Sequence, residues 1–305
     1  MKKLYLILIV ISIHNIFGGG KNMSIHKNDN GSYSMIKNNM ELKIDPNYGG
    51  RIVSFKLSDY EFLVQEKNNP ECFGSTLWPS PQSIWNWPPL KTLDSDPYEV
   101  IKDDSVFEIK SGKDSLTGLS FTKNIGNSSN DNSLKLEFKI TNEGEKSSSV
   151  SPWQITRVKK GGILFFPMGE GEQKQKYFPL AKTFEKDGIV WYKSNKEEVL
   201  DNHRLNTADG REGWIAYAID GKVFVKKFQD NEPEKFAPGE SEVSFYISGN
   251  ADYIEIEVQG VYEKLEYNDT INWYVEWYAF DIPQSIKVEV GSKELVEFVR
   301  QGIKK

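Results

Sequence analysis

The sequence predicts an all-β protein, a large antiparallel β-sandwich with a short C-terminal helix. Three observations predict this fold class. Short segments in which apolar and polar residues alternate recur along the chain, an Asp-Gly pair separates two apolar runs, and Gly, Asn, Asp and Pro punctuate the segments. Only residues 292–303 have the spacing of apolar side chains that is typical of an amphipathic helix.

The first residues are typical of a secretory signal peptide. Two lysines precede an apolar run at 4–13, and three glycines follow at 18–20. The run is shorter than the roughly 20 residues that a membrane-spanning helix needs. We therefore expect residues 1–20 to be a leader, with export to the periplasm or the cell exterior and no stable membrane span after its removal. An uncleaved N-terminal anchor is the alternative.

The rest of the chain predicts one domain. Residues 21–32 are polar and predict a flexible lead-in, and residues 33–305 contain no linker, repeat or low-complexity tract. The clearest strand signals, in chain order, are Arg51–Leu57, Leu134–Ile140, Trp214–Ile219, Lys222–Val225, Val243–Ile247, Tyr253–Val258 and Ile271–Phe280. Asp220-Gly221 favours a two-residue hairpin turn. The last of these strands is apolar or aromatic on both faces, which predicts a central position.

Residues 73–90 interrupt the strand pattern. Four prolines and three tryptophans occur in this span, and proline cannot donate a backbone hydrogen bond within a sheet. The segment is therefore predicted to be a rigid aromatic loop rather than a central strand. Such a loop lines a binding cleft or plugs one end of the sandwich.

Composition excludes several classes of function. One cysteine, Cys72, permits neither an intrachain disulfide nor a multi-cysteine zinc site, and three histidines leave little for a metal centre. A net charge of -6 without a basic block disfavours nucleic acid. No glycine-rich nucleotide loop is present. We expect no metal and no cofactor.

The pattern of charged residues suggests a site on one strand. Alternation along 253–259 places Glu255, Glu257 and Gln259 on one face, where a carboxylate with a suitable pKa can remove a proton from a sugar hydroxyl. Lys226 and Lys227 point to opposite faces of their strand, so at least one of them faces away from solvent or into a cleft. His203 lies in a polar, loop-like stretch, and a histidine in a cleft can act as a general acid near neutral pH. Solvated side chains are the alternative for each of these residues.

Residues 47–55 with 61–63, taken together with residues 256–259, resemble the aldose 1-epimerases of the galactose-mutarotase-like superfamily. Residues 256–259 resemble the Leu-Glu-Thr-Gln segment that carries the catalytic glutamate of that family. Residues 74–82 and 151–154 resemble a domain-of-unknown-function branch of this superfamily from Bacteroidetes-type bacteria.

The resemblance implies a large β-sandwich that binds a sugar on a concave sheet face. Glu257 matches the catalytic base, which takes the proton of the anomeric hydroxyl while a histidine protonates the ring oxygen. Trp153 and Gln154 occupy the region where the family has its acid, so His203 is the candidate acid in this chain. The predicted substrate-binding residues are Arg51, Trp78, Gln82, Trp85, Trp87, Trp153, Gln154, Lys227, Glu255 and Gln259.

Three functions follow from these residues. The first is a carbohydrate-binding protein with an epimerase-like cleft that interconverts sugar anomers, with Glu257 as the base. The second is a non-catalytic carbohydrate-binding module in which tryptophans stack on sugar rings. The third is a hydrolase or a polysaccharide lyase on the same fold, with Glu255 and Glu257 as paired carboxylates, or with Lys227 or Arg51 neutralising a uronate. The expected partner is a mono- or oligosaccharide.

Overall fold

The computed structural model describes residues 22–196, 200–249 and 253–304 of the 305-residue chain. The predicted leader at 1–20 lies outside the described residues. The strands, in chain order, are β1 (Ser24–Lys27), β2 (Tyr33–Lys37), β3 (Met40–Asp45), β4 (Arg51–Leu57), β5 (Tyr60–Glu61), β6 (Ser75–Ser80), β7 (Glu99–Asp103), β8 (Phe107–Lys110), β9 (Leu119–Asn127), β10 (Ser133–Asn142), β11 (Ser148–Lys159), β12 (Ile163–Pro167), β13 (Phe184–Lys186), β14 (Ile189–Lys193), β15 (Arg204–Ala208), β16 (Trp214–Ile219), β17 (Lys222–Phe228), β18 (Val243–Ile247), β19 (Tyr253–Gln259), β20 (Glu263–Leu265) and β21 (Thr270–Asp281). The helices are α1 (Lys91–Asp94) and α2 (Lys293–Lys304), and single 3₁₀ turns lie at Gln82–Ile84 and Pro233–Lys235.

These strands form two large sheets in which each strand pairs antiparallel to its neighbours. The first sheet has the order β1-β2-β3-β4-β6-β11-β19-β18-β15, with β5 paired to β4 and β20 paired to β11. The second has the order β13-β14-β12-β16-β17-β21-β10-β9-β8-β7. This confirms the predicted all-β antiparallel sandwich with a short C-terminal helix.

The core lies between the two sheets. Phe55 of β4 meets Trp277 of β21 with ring centroids 5.2 Å apart, so aromatic side chains from the two inner faces interdigitate. The helix α2 packs on the outer face of the second sheet through Leu295, Val296 and Val299. β21 is a central strand between β17 and β10, as its sequence predicts, and Tyr278 of its outer face is buried in the cluster around α2.

Local sequence signals agree with the observed elements in most places. β4 and β18 have the predicted bounds, and Asp220 and Gly221 both have positive φ angles, 48° and 73°, in the turn between β16 and β17. Such angles are those of the hairpin turn that an Asp-Gly pair favours. The helix spans Lys293–Lys304, one residue later than predicted at each end.

The prediction of a loop for the whole of residues 73–90 is wrong. Its first part is β6, a central strand between β4 and β11. Pro79 lies opposite Pro152 of β11, and their carbonyl oxygens accept bonds from other groups, the Trp85 indole and the Gly260 backbone N–H. Each proline lacks a backbone N–H, but the carbonyl oxygen opposite it has another donor, so neither of these two acceptors is left without a partner. On its other side β6 pairs with β4 only at Ser75, so the proline there interrupts no ladder.

The polar segment 21–32 also differs from the prediction. Its residues Ser24–Lys27 form β1, which pairs with Tyr33, Ser34, Met35 and Ile36 of β2. Backbone pairing at the edge of a sheet does not require buried side chains, so a polar sequence is compatible with a strand there. Within the described residues no helix is long and apolar enough to cross a membrane.

Candidate functional site

A cavity of about 530 Å³ opens on the face of the first sheet that is turned away from the second sheet. Alternation along β19 determines this placement, because Ile254, Ile256 and Val258 face the shared core. The intervening residues line the cavity, as the sequence predicts for Glu255 and Glu257. The residues that line the cavity are Cys72, Trp78, Gln82, Ser83, Asn86, Trp87, Trp153, Arg157, Lys176, Tyr177, Phe178, Leu205, Thr207, Glu240, Ser244, Tyr246, Tyr253, Glu255, Glu257 and Gln259.

Glu257 lies at the floor of the cavity with 3% of its surface exposed. Burial and the neighbouring Glu255 carboxylate raise its pKa to about 8, because both disfavour the charged form. The indole Nε1 of Trp153 donates a 2.9 Å hydrogen bond to its Oε2 and acts in the opposite direction. A carboxyl group with a pKa near neutrality is suited to general acid–base chemistry.

Glu255 is held by an arginine of the adjacent strand. The Arg157 Nε donates to Glu255 Oε1 at 2.8 Å, and the two side chains are 3% and 12% exposed. Burial raises the pKa of Glu255 and outweighs the opposing effect of Arg157. The two glutamates of β19 thus have different surroundings, since one has a cation as its partner and the other has an indole.

A third carboxylate closes one side of the cavity. Glu240 accepts a hydrogen bond of 3.1 Å from the amide Nε2 of Gln259 and pairs with the ammonium group of Lys176. Lys176 and Tyr177 belong to the connection between β12 and β13, and the Lys176 ammonium lies 4.9 Å from the centroid of the Tyr177 ring. This loop therefore brings both a cation and an aromatic ring to the cavity.

Tryptophans form the opposite wall, with Trp78 at their centre. The centroid of its ring lies 5.4 Å from that of Trp153, 5.6 Å from that of Trp85 and 6.1 Å from that of Trp87, and each pair is arranged edge to face. The Trp78 indole N–H donates to Asp94 at 2.7 Å, which fixes the orientation of the ring. Gln82 follows in the 3₁₀ turn at 82–84 and lines the cavity with Ser83 and Asn86.

Two residues predicted to touch substrate lie behind this wall. Arg51 is 2% exposed, and its guanidinium pairs with Asp94 at 3.0 Å. Asp94 also accepts the indole hydrogen bond of Trp78, so Arg51 supports the cavity wall indirectly, through Asp94. Trp85 is 5% exposed and donates its indole N–H to the Pro79 carbonyl. Neither residue lines the cavity. Position on a strand or loop near the site did not distinguish lining side chains from supporting ones.

Two further residues predicted to touch substrate face away from the cavity. Gln154 alternates with Trp153 on β11 and so faces the core, where its Oε1 accepts a hydrogen bond from Trp277. Lys227 belongs to the second sheet, and its ammonium donates to the Ile303 carbonyl of α2 at 2.9 Å. A one-residue step on a strand reverses the face that a side chain occupies.

His203, the predicted acid, does not line the cavity but lies behind Tyr246. Its Nδ1 is 2.5 Å from the Tyr246 hydroxyl and accepts a 3.1 Å bond from the backbone N–H of Gly249. Because Nδ1 is an acceptor in the second bond, the Tyr246 hydroxyl is the donor in the first. Burial and the Glu255 carboxylate raise the pKa of Tyr246, so this hydroxyl keeps its proton.

Sequence reasoning missed several lining residues, and a signal existed for some of them. Arg157 lies four residues after Trp153 on β11, so strand alternation places both on one face. Tyr246 shares a face with Ser244 on β18 in the same way. Lys176, Tyr177 and Glu240 come from connections whose path no local pattern predicts. In the described part of the chain, no group of three or more His, Cys, Asp or Glu side chains is placed to hold a metal ion.

Comparison with solved structures assigns the fold. A galactose mutarotase related enzyme from Lactobacillus acidophilus matches with a TM-score of 0.59 at 13% identity, over 85% of this chain and 100% of that chain. A galactose mutarotase-like protein from Clostridium acetobutylicum matches with a TM-score of 0.59 at 11% identity, over 86% of this chain and 99% of that chain. A TPR-domain-containing protein from Parabacteroides distasonis matches with a TM-score of 0.54 at 13% identity, over 85% of this chain and 49% of that chain.

Comparison by sequence identifies the family. No curated protein matches the chain at the sequence level. The family model described as a domain of unknown function (DUF4380) matches residues 80–279, a span that begins at the end of β6 and contains β11 and β19. That span covers more than half of the chain and includes both strands that carry the central residues of the cavity. The chain therefore belongs to the DUF4380 family, and its fold is the galactose mutarotase-like β-sandwich.

Proposed function

We propose that the protein binds a carbohydrate in the cavity of the first sheet and interconverts the anomers of the sugar held there, with Glu257 as the general base. The observation that carries the proposal is the buried Glu257 carboxyl group at the floor of an aromatic cavity, with its pKa raised to about 8. The fold shared with galactose mutarotase-like proteins supports a carbohydrate-related role.

The lining of the cavity is suited to a neutral sugar. Pyranose rings present apolar C–H faces and a rim of hydroxyl groups, and Trp78 and Trp153 supply aromatic surface beside the Glu255 and Glu257 oxygens. The cations Arg157 and Lys176 are already paired with carboxylates. Neither lining cation is free to pair with the carboxylate of a uronate, which disfavours the lyase function.

The proposed reaction needs one base and one proton for the ring oxygen. The Glu257 carboxylate removes the proton of the anomeric hydroxyl, the bond between the anomeric carbon and the ring oxygen breaks, and the ring oxygen takes a proton from a water molecule that enters the open cavity. Rotation about the first carbon–carbon bond and the reverse steps close the ring with the other configuration. The ionised form of Glu257 is required, and Trp153 stabilises that form by donating a hydrogen bond.

A specific observation favours a second candidate, a carbohydrate-binding module without catalysis. Of the described residues that line the cavity none is a histidine, and the Tyr246 hydroxyl in front of His203 directs its proton to that histidine rather than to the cavity. A site that binds a sugar without protonating its ring oxygen fits this arrangement.

Anomeric exchange measured by magnetisation-transfer NMR separates the two candidates. The probes are D-galactose, D-glucose, D-xylose and L-arabinose, with the wild type, Glu257→Gln and the control Glu263→Gln, whose carboxylate is exposed on β20. Exchange faster than buffer that Glu257→Gln abolishes and Glu263→Gln keeps supports catalysis. Saturable binding without faster exchange supports the binding module. Neither binding nor exchange with any sugar contradicts the proposed function.

A further inference from the structure

Two exposed aromatic rings, those of Trp87 and Tyr177, lie at the mouth of the cavity, and the proposed reaction at Glu257 uses neither. Trp87 is 66% exposed and Tyr177 is 60% exposed, and both line the cavity. Trp78 and Trp153, in the tryptophan wall beside Glu257, are mostly covered by protein and pair edge to face. The cavity therefore changes from covered aromatic surface beside Glu257 to open aromatic surface at its mouth.

Each mouth ring keeps a face that a ligand can cover. Trp87 contacts Trp78 in an edge-to-face arrangement at 81°, and such a contact occupies at most one face of either ring. The Lys176 ammonium covers one side of Tyr177 at 4.9 Å, and most of the surface of this tyrosine is still accessible. The rings come from separate segments, the loop after β6 and the connection between β12 and β13.

The polar groups beside these rings match hydroxyl groups rather than a charged or purely apolar ligand. Gln82, Ser83 and Asn86 line the cavity next to Trp87, and their amides and hydroxyl both donate and accept hydrogen bonds. On the other side Lys176 is paired with Glu240, so the mouth carries little net charge from these two groups. An apolar ring face flanked by neutral amides and hydroxyls is complementary to a sugar residue, which has apolar C–H faces and hydroxyl groups at its rim.

The volume of the cavity is also larger than a single sugar residue requires. Cavities that enclose drug-sized ligands have volumes of roughly 300–1,000 Å³, and this cavity has about 530 Å³. A monosaccharide is smaller than such a ligand and leaves the mouth rings exposed to water when it lies at the floor beside Glu257.

We propose that the ligand is a neutral oligosaccharide, whose terminal residue occupies the floor of the cavity and whose next residue stacks against Trp87 and Tyr177 at the mouth. This inference rests on the proposed function and names the substrate class for the same site. Extension by one residue covers the open aromatic faces and removes their apolar surface from water, which favours binding of the longer ligand.

Calorimetric titration tests the inference with matched pairs of ligands. The probes are the monosaccharides glucose, galactose, xylose and mannose and the trisaccharides maltotriose, cellotriose, galactotriose, xylotriose and mannotriose. The measured quantity is the ratio of the trisaccharide affinity to the affinity of the corresponding monosaccharide. Trp87→Ala and Tyr177→Ala should each lower this ratio about 2- to 10-fold, and Trp87→Phe should restore most of it.

Tyr267→Ala is the matched control, since Tyr267 is also 60% exposed and lies outside the cavity lining. It should leave the ratio unchanged. A ratio close to one for the wild type with every pair overturns the oligosaccharide inference and leaves the proposed function standing. A ratio above one that neither alanine variant lowers also overturns it. Absence of binding to every sugar overturns both, so the two failures are distinguishable.

Discussion

The indole Nε1 of Trp153 on β11 donates a 2.9 Å hydrogen bond to Oε2 of Glu257 on the neighbouring strand β19. The bond favours the ionised carboxylate, whereas burial and Glu255 favour the protonated form and raise the pKa to about 8. The protonation state of Glu257 is therefore set by opposing contributions from identified neighbours, and each contribution can be removed by substitution.

Anomeric exchange should rise with pH. Below a pKa of about 8 the Glu257 carboxyl group is mostly protonated and cannot act as a base, and above it the carboxylate predominates. We expect the rate to increase about tenfold per pH unit well below the pKa and to level off above it. Magnetisation-transfer NMR from pH 5.5 to 9.5, corrected for the buffer rate, measures this profile. A rate that is independent of pH contradicts Glu257 as the base.

Trp153→Phe should move that profile to higher pH. The phenyl ring keeps aromatic surface but cannot donate the hydrogen bond that stabilises the carboxylate, so the pKa of Glu257 rises further. The expected displacement of the midpoint is about 1–2 pH units, in line with the net value of a hydrogen bond to a charged group. Trp191→Phe, a buried tryptophan of the second sheet, is the control. Superimposable profiles for wild type and Trp153→Phe are the contrary result.

Glu257→Gln should alter how stability depends on pH. Between the unfolded pKa of 4.5 and the folded pKa of about 8, the folded state keeps a proton that the unfolded state has released. The free energy of unfolding of the wild type therefore falls as pH rises through this window, by up to about 1.4 kcal/mol per pH unit from this group. The variant lacks this contribution, so its stability relative to that of the wild type should increase from pH 5 to pH 9. Urea denaturation at pH 5, 7 and 9 measures the difference, and parallel curves refute it.

Arg157→Met should destabilise the fold strongly. It leaves the Glu255 carboxylate, 12% exposed, without the cation that now lies 2.8 Å away. Loss of one partner of a buried ion pair costs about 3–5 kcal/mol, and Arg157→Lys should cost less because the charge is kept. Lys264→Met breaks an exposed pair with Glu266 and should cost no more than about 1 kcal/mol. Equal losses for Arg157→Met and Lys264→Met are incompatible with this account.

Lys226 supports the site from the core, and its removal should have the opposite pH dependence. Its buried amino nitrogen Nζ donates to the Ile256 carbonyl at 2.9 Å and to the Gln154 carbonyl at 3.3 Å. Burial lowers its pKa well below 10.5, so the unfolded state binds a proton that the folded state does not. Relative to Lys226→Met, the wild type should gain stability as pH rises toward 10.5. Denaturation of both proteins from pH 7 to 10 checks the sign, and a wild type that loses stability relative to Lys226→Met as pH rises contradicts it.

Periodicity predicted the strands well because side-chain burial alternates along them. β4, β18 and β19 follow directly from alternating residues, and Glu255 and Glu257 share the predicted face. It failed at β6, because the cost of a proline in a strand depends on whether its missing N–H faces a partner. That depends on the register with β11 and β4, which the local sequence does not contain.

The candidate site was predicted in part. Trp78, Gln82, Trp87, Trp153 and Gln259 line the cavity as expected. Five others, Arg51, Trp85, Gln154, His203 and Lys227, support the cavity from behind or lie elsewhere. The export of the protein and the Bacteroidetes-type origin stay predictions from the sequence.

The sequence by itself determined the fold class, the placement of the two glutamates on one face of β19 and the resemblance to the epimerase superfamily. These properties depend on alternation and on short motifs, which are local. Only the tertiary structure decided that Arg157 and Trp153 flank those glutamates, that His203 lies behind Tyr246, and that Trp87 and Tyr177 line the same cavity. Contacts between strands and loops distant in sequence arise from sheet order and register, and these are set by packing of the whole core.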